Sequence, residues 1–199
     1  DLRREAEAVA AGLTAALRPR YLYRVFPLAH EEDRIFLTGA GVTLTGLSAR
    51  KMLSTCDQAA LLACTLGSPF DALLRTEQAR DMAKAVILDA CGSAWVEAGC
   101  DEAEREIAER LPGRHLTDRF SPGYGDLPLA LQSGLCAALD TSRRLGVTVT
   151  ESFLLNPVKT VTAVIGLSDE PQRARIRGCA YCSIRETCAL RKGGKSCAS

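Results

Sequence analysis

Short β-rich stretches lie at both ends of this chain with a long helical middle between them, and that order constrains the fold more than any other feature. Near the start, YLYRVFPL (21–28) and DRIFLTGAGVTLTG (33–46) are rich in β-branched and aromatic residues and broken by glycines. They read as strands or a hairpin. Near the end, VTVTESFLLNPVKTVTAVIGLS (147–168) alternates like strands around Asn156 and Pro157. The first segment places Leu2, Ala6, Val9, Ala10, Leu13 and Leu17 at helical spacing before Pro19. The stretch from Ser48 to Gly113 reads as mostly helical and is divided by LGSP at Leu66–Pro69. Its second half is long and amphipathic, with Ala85, Leu88, Trp95 and Ile107 among the apolar positions. A shorter helix follows in LALQSGLCAALDTSRRLG (129–146). Helices and strands mixed without a βαβ rhythm predict an α+β fold with a mainly antiparallel, twisted sheet. The expected organisation is one domain over 1–168 and a basic, cysteine-bearing tail over 169–199.

Charge and hydropathy exclude several function classes. Lys+Arg 25 against Asp+Glu 24 leaves a formal charge of +1, so nothing draws the whole molecule toward nucleic acid. No apolar run approaches the ~20 residues that span a bilayer. No signal-like leader is recognisable, and the chain reads as cytoplasmic, with no membrane partner. His30 and His115 are isolated in sequence, and no Ser-His-Asp or Cys-His pattern is present.

Nine cysteines is an odd and high count, which argues against a closed disulfide framework. Cys56, Cys64, Cys91, Cys100 and Cys136 are scattered among Ala, Leu and Val, where a thiol serves as a small hydrophobe. Cys179, Cys182, Cys188 and Cys197 form C-x2-C-x5-C-x8-C in a tail whose Arg173, Arg175, Arg177, Arg185, Arg191, Lys192 and Lys195 face only Glu186. Four thiolates in this pattern suit one metal site. Only the first pair has the form of a zinc knuckle, which favours an iron–sulfur cluster of the 4Fe–4S type, with zinc as the alternative.

In RFSPGYGDLP (119–128), Gly123 and Gly125 flank Tyr124 between two prolines, so the loop offers an accessible backbone and a projecting ring. Arg119 supplies a planar fork suited to a carboxylate. Together with the 145–166 segment, this loop resembles the activation (reactivation) domain of cobalamin-dependent methionine synthase. Arg119, Gly123, Tyr124 and Pro128 match that family's first motif, in which Leu127 stands where the family has Cys. Thr150, Glu151, Ser152 and Pro157 match its second, and the likeness is clear from about Ala85 to Gly166.

The resemblance implies a domain that binds S-adenosylmethionine and supports reductive methylation of cob(II)alamin carried by a partner, a methyltransferase-type role. By correspondence Arg119 holds the ligand carboxylate, and the Gly123, Tyr124 and Gly125 backbone lines the adenosyl site. Tyr124, the candidate catalytic residue, faces the corrin, and Glu97 meets the ligand's cationic end. The implied partners are a cobalamin-binding methionine synthase or another corrinoid methyltransferase, and an electron donor such as flavodoxin or ferredoxin. The chain looks like the free-standing activation-domain-like proteins of anaerobic bacteria, which makes the tail cysteines candidates for an electron relay. A different class also fits the tail: a zinc-stabilised module that binds a protein or nucleic acid. With Tyr181 as the tail's one aromatic, base stacking is poorly served.

Overall fold

The computed structural model describes residues 2–172 and 185–194. In chain order the elements are α1 (Leu2–Ala16), β1 (Arg20–His30), β2 (Arg34–Leu37), β3 (Val42–Thr45), α2 (Leu47–Leu53), β4 (Gln58–Thr65), α3 (Ser68–Arg80), α4 (Met82–Arg110), β5 (His115–Leu116), α5 (Leu131–Leu139), α6 (Thr141–Leu145), β6 (Thr148–Val149), β7 (Leu155–Asn156), β8 (Thr160–Ser168) and α7 (Ala189–Lys192). Six strands form one sheet in the order β3-β2-β1-β4-β8-β5, and β6 and β7 form a small ribbon. Every strand pair is antiparallel. The α+β expectation is met.

The sheet is the middle of three layers, and the two-residue alternation of its strands divides the core. On one face Leu22, Phe26, Ala59, Leu61, Ala63 and Val164 pack against α2, α5 and α6 through residues such as Leu53, Leu135 and Leu145. On the other, Ala60, Leu62, Cys64, Ala163, Ile165 and Leu167 pack against α1, α3 and α4 through Leu13, Phe70, Leu88, Val96 and Ile107. Four of the five scattered cysteines are buried and Cys91 is half-buried. Cys100 is pushed well above the thiol range, first by its hydrogen bond with Cys64 and then by burial, so it stays protonated.

The clearest departure from the sequence reading is β4, where a helix was expected. QAALLACT is buried from Ala59 to Thr65 and pairs with β1 on one edge and β8 on the other. A strand covered on both faces has no polar side to alternate with. Its Ala and Leu also favour helices, so short apolar runs of this kind carry no distinguishing period. The helix expected over 129–146 is two, broken at Asp140, whose φ is 54°. Gly146, with φ 70°, ends α6 in the left-handed region that glycine adopts freely.

α4 is the long strut of the molecule. The Asp81 side chain accepts the Lys84 N–H at 3.1 Å and caps its first turn. Gly92 and Gly99, seven residues apart, lie on its buried face. A Cβ at Gly92 would stand 2.2 Å from Cζ of Phe70, and one at Gly99 would stand 2.4 Å from Cβ of Pro19. The helix therefore sits closer to α3 and to the start of β1 than any side chain would allow. No helix among the described residues is long and apolar enough to cross a membrane.

Candidate functional site

The site grows from the way the chain leaves α4 and returns to the sheet. β5 pairs with the end of β8, and the pairing continues as single contacts upstream. Thr117 N–H donates to Gly166 O at 2.9 Å, and Phe120 exchanges both main-chain bonds with Val164 at 3.0 and 2.8 Å. Strand alternation then sends neighbouring side chains to opposite faces. Phe120 enters the α5 side of the core, while Arg119 points toward α4.

Arg119 arrives among three carboxylates of that helix. Its Nη2 donates to Glu97 at 2.5 Å, and its Nη1 donates to Asp101 at 2.6 Å and Glu104 at 2.7 Å. Spacings of four and three residues put the three acids on one helical face. The Arg119 side chain is only 5% exposed, whereas Glu97, Asp101 and Glu104 keep 47%, 59% and 28%. Burial opposes the guanidinium's charge, but the hydrogen bonds to Glu104, Glu97 and Asp101 outweigh it and hold its pKa above the usual arginine value. Among the described residues, three carboxylates against one guanidinium leave two surplus negative charges on this rim.

From Phe120 the chain turns away from β8 into the glycine loop. Gly123 N–H donates to Leu127 O at 2.9 Å, Tyr124 N–H to Ser121 O at 3.1 Å and Leu127 N–H to Tyr124 O at 3.0 Å. Gly123 and Gly125 have φ of 92° and 57°, which glycine adopts without strain. The Tyr124 side chain projects outward and is 60% exposed. Leu127, at the position where the resembled family has Cys, is buried in the core.

Asp126 anchors this loop to α2. Its carboxylate accepts the N–H groups of Leu47 at 2.5 Å and Ser48 at 2.9 Å, so a residue 79 positions away from Leu47 caps a helix that lacks a local cap. Hydrogen bonding from the Ser48 side chain, and then from these two N–H groups, holds the Asp126 pKa below the usual carboxylate value. A group depressed in this way anchors the loop above the ordinary carboxylate pKa and releases it as pH falls through the lowered one. Asp126→Asn is therefore expected to reduce amide-exchange protection at Gly123, Tyr124 and Leu127 several-fold at neutral pH, and acidification of the parent protein should reproduce the loss. Protection that is unchanged in both experiments would refute the anchor.

Beyond the loop, Thr162 donates its hydroxyl to the buried Gln132 side chain, joining β8 to α5. The Thr-Glu-Ser segment forms the tip of the β6–β7 ribbon. There Thr150 N–H donates to Leu154 O at 2.8 Å, and the Thr150 hydroxyl accepts Leu154 N–H at 3.0 Å. Glu151 is exposed at that tip.

The structure thus brings together Glu97 and Arg119 and carries Gly123, Tyr124 and Gly125 on the loop that follows. Sequence reasoning missed Asp101 and Glu104, although their fixed spacing from Glu97 was available, and it missed the Asp126 anchor, which no local pattern announces. Of the tail cysteines, Cys188 immediately precedes α7 and is half-buried. Cys179, Cys182 and Cys197 lie outside the described residues. Among the described residues no group of His, Cys, Asp or Glu is placed to hold a metal ion.

No protein-family model matches the chain, and no curated protein matches it. Its fold is similar to that in the crystal structure of the MetH reactivation domain bound to AdoHcy. The TM-score is 0.66 at 17% sequence identity, over 98% of this chain and 72% of that one. The likeness read in sequence between Ala85 and Gly166 thus extends, as a likeness of fold, across almost the whole chain.

Proposed function

We propose that this protein binds S-adenosylmethionine beside the Arg119 cradle and presents it to a corrinoid carried by a partner methyltransferase of the methionine synthase type. The observation that carries the reading is the buried Arg119 paired with Glu97, followed in the chain by the exposed Gly123–Gly125 loop, on a fold similar to that of a domain whose solved structure holds AdoHcy. The ligand's amino-acid end bears a carboxylate and an ammonium, and its methyl donor is a sulfonium cation. Among the described residues Arg119 is the one guanidinium in the cradle, so it takes the carboxylate only as one of its own acids lets go. The released acid then meets the ammonium or sulfonium. Gly123 and Gly125 are exposed, so the adenosyl group can lie against the main chain of their loop, and exposed Tyr124 is the ring that meets the corrin. The corrinoid, when bound, supplies the cobalt that accepts one electron and the sulfonium methyl group.

In this scheme Cys179, Cys182, Cys188 and Cys197 would hold an iron–sulfur cluster, and the cluster would relay one electron from an external donor such as flavodoxin or ferredoxin. Its support is the sequence spacing and the surrounding positive charge. A zinc site would instead make the tail a structural clip.

One anaerobic preparation of the full chain tests both parts. Calorimetric titration should show saturable, one-to-one binding of S-adenosylmethionine in the micromolar range, and absence of heat up to millimolar ligand would overturn the site. Iron, sulfide and broad visible absorption should accompany the protein. A colourless protein holding zinc would overturn the relay and leave electron delivery to an external flavodoxin or ferredoxin.

A further inference from the structure

Two acids of the cradle exceed what Arg119 needs. A single carboxylate would neutralise the guanidinium, and Glu97 already accepts from Nη2 at 2.5 Å. Asp101 and Glu104 both crowd Nη1, at 2.6 and 2.7 Å. Neither acid is paired with a second cation on α4. The nearby Arg105 binds Glu102 at 2.7 Å, and Arg110 binds Glu106 at 2.7 Å. Glu104 is the least exposed of the three acids, at 28%, so its field is the least screened by water.

We infer that Asp101 and Glu104 are specificity-determining residues that select the charge of the ligand, favouring the sulfonium methyl donor over its neutral thioether product. The inference rests on the binding reading above. S-adenosylmethionine carries an ammonium, a sulfonium and a carboxylate, for a net charge of +1, and S-adenosylhomocysteine lacks the sulfonium and is neutral overall. Shape and hydrogen-bonding groups are otherwise shared, so pocket contacts alone separate the two weakly. A rim with two surplus negative charges separates them by Coulomb attraction. Loss of the methyl group removes that attraction, and the product leaves a site that still holds the donor. Asp101 and Glu104 therefore set the direction of ligand exchange as well as affinity.

The test is calorimetry on the full chain with both ligands. The parent protein should bind S-adenosylmethionine about tenfold tighter than S-adenosylhomocysteine. Asp101→Asn and Glu104→Gln should each reduce that ratio several-fold, mainly by weakening the sulfonium ligand, and Asp101→Glu should restore it. A merely structural role would weaken both ligands alike and leave the ratio unchanged, which would overturn the inference. A salt titration of the parent protein needs no variant to fold: the ratio should fall as ionic strength rises, and a salt-independent ratio would also overturn it. If neither ligand binds the parent protein, it is the underlying binding reading that fails. If both bind with equal affinity, only the charge selection fails.

Discussion

Arg119→Ala is expected to abolish detectable S-adenosylmethionine binding and to lower the unfolding free energy by about 2 kcal/mol. Breaking a buried ion pair from one side typically costs about 3–5 kcal/mol, because a charge is left uncompensated. Here the stranded groups are Glu97, Asp101 and Glu104, which keep enough exposure to rehydrate. The lower figure follows. For a domain of this size it corresponds to a fall in Tm of about 4–8 °C. The three acids then repel one another along one face of α4, so the gap between variant and parent should narrow as salt screens that repulsion. Thermal melts across a salt series, with titration of the ligand, check both parts. Arg119→Lys retains the charge without the fork and should recover more of the stability than of the binding.

Gly92→Ala is expected to destabilise the fold by about 2–4 kcal/mol, although alanine is the better helix former by about 1 kcal/mol. The added Cβ would stand 2.2 and 2.5 Å from Cζ and Cε2 of Phe70. Phe70 is fully buried, and moving a ring in a close-packed interior disturbs its neighbours. Either α3 moves away from α4 or the ring leaves its rotamer. Pairing Gly92→Ala with Phe70→Leu should return part of the loss as a favourable coupling in a double-mutant cycle. Chemical denaturation of the four proteins measures it, and strictly additive effects would show that the ring is not the obstacle.

What the sequence made legible follows from how local each signal was. The strands at 21–46 and 147–168, the terminal helix and the long amphipathic helix declare themselves through residues a few positions apart, and the structure contains them. β4 was unreadable because it is buried on both faces: nothing in AALLAC separates a central strand from a buried helix until its neighbours are known. The close approach at Gly92 was equally hidden, since its meaning lies in Phe70 on another element. In the candidate site, Arg119 and the glycine loop stood out by residue type and were assigned roles through the resemblance, as was Glu97, whereas Asp101 and Glu104 matter because of the arginine that comes to them. Asp126 reads as one more loop acid until α2 is laid against it.

The Tyr124 loop is pinned at several points: Phe120 to β8, Asp126 to α2 and, just beyond it, Gln132 to Thr162. A ring carried on so braced a pedestal does not have to be ordered when something lands on it, and little entropy is lost at the moment of contact. On the function proposed above, in which the protein visits a partner, delivers and departs, such stiffness separates two quantities that a flexible loop would entangle. The rate of encounter belongs to diffusion and charge, and the dwell time belongs to the few atoms at the tip. Changes at the Tyr124 ring alone should therefore retune how long a visit lasts while leaving how often it occurs untouched.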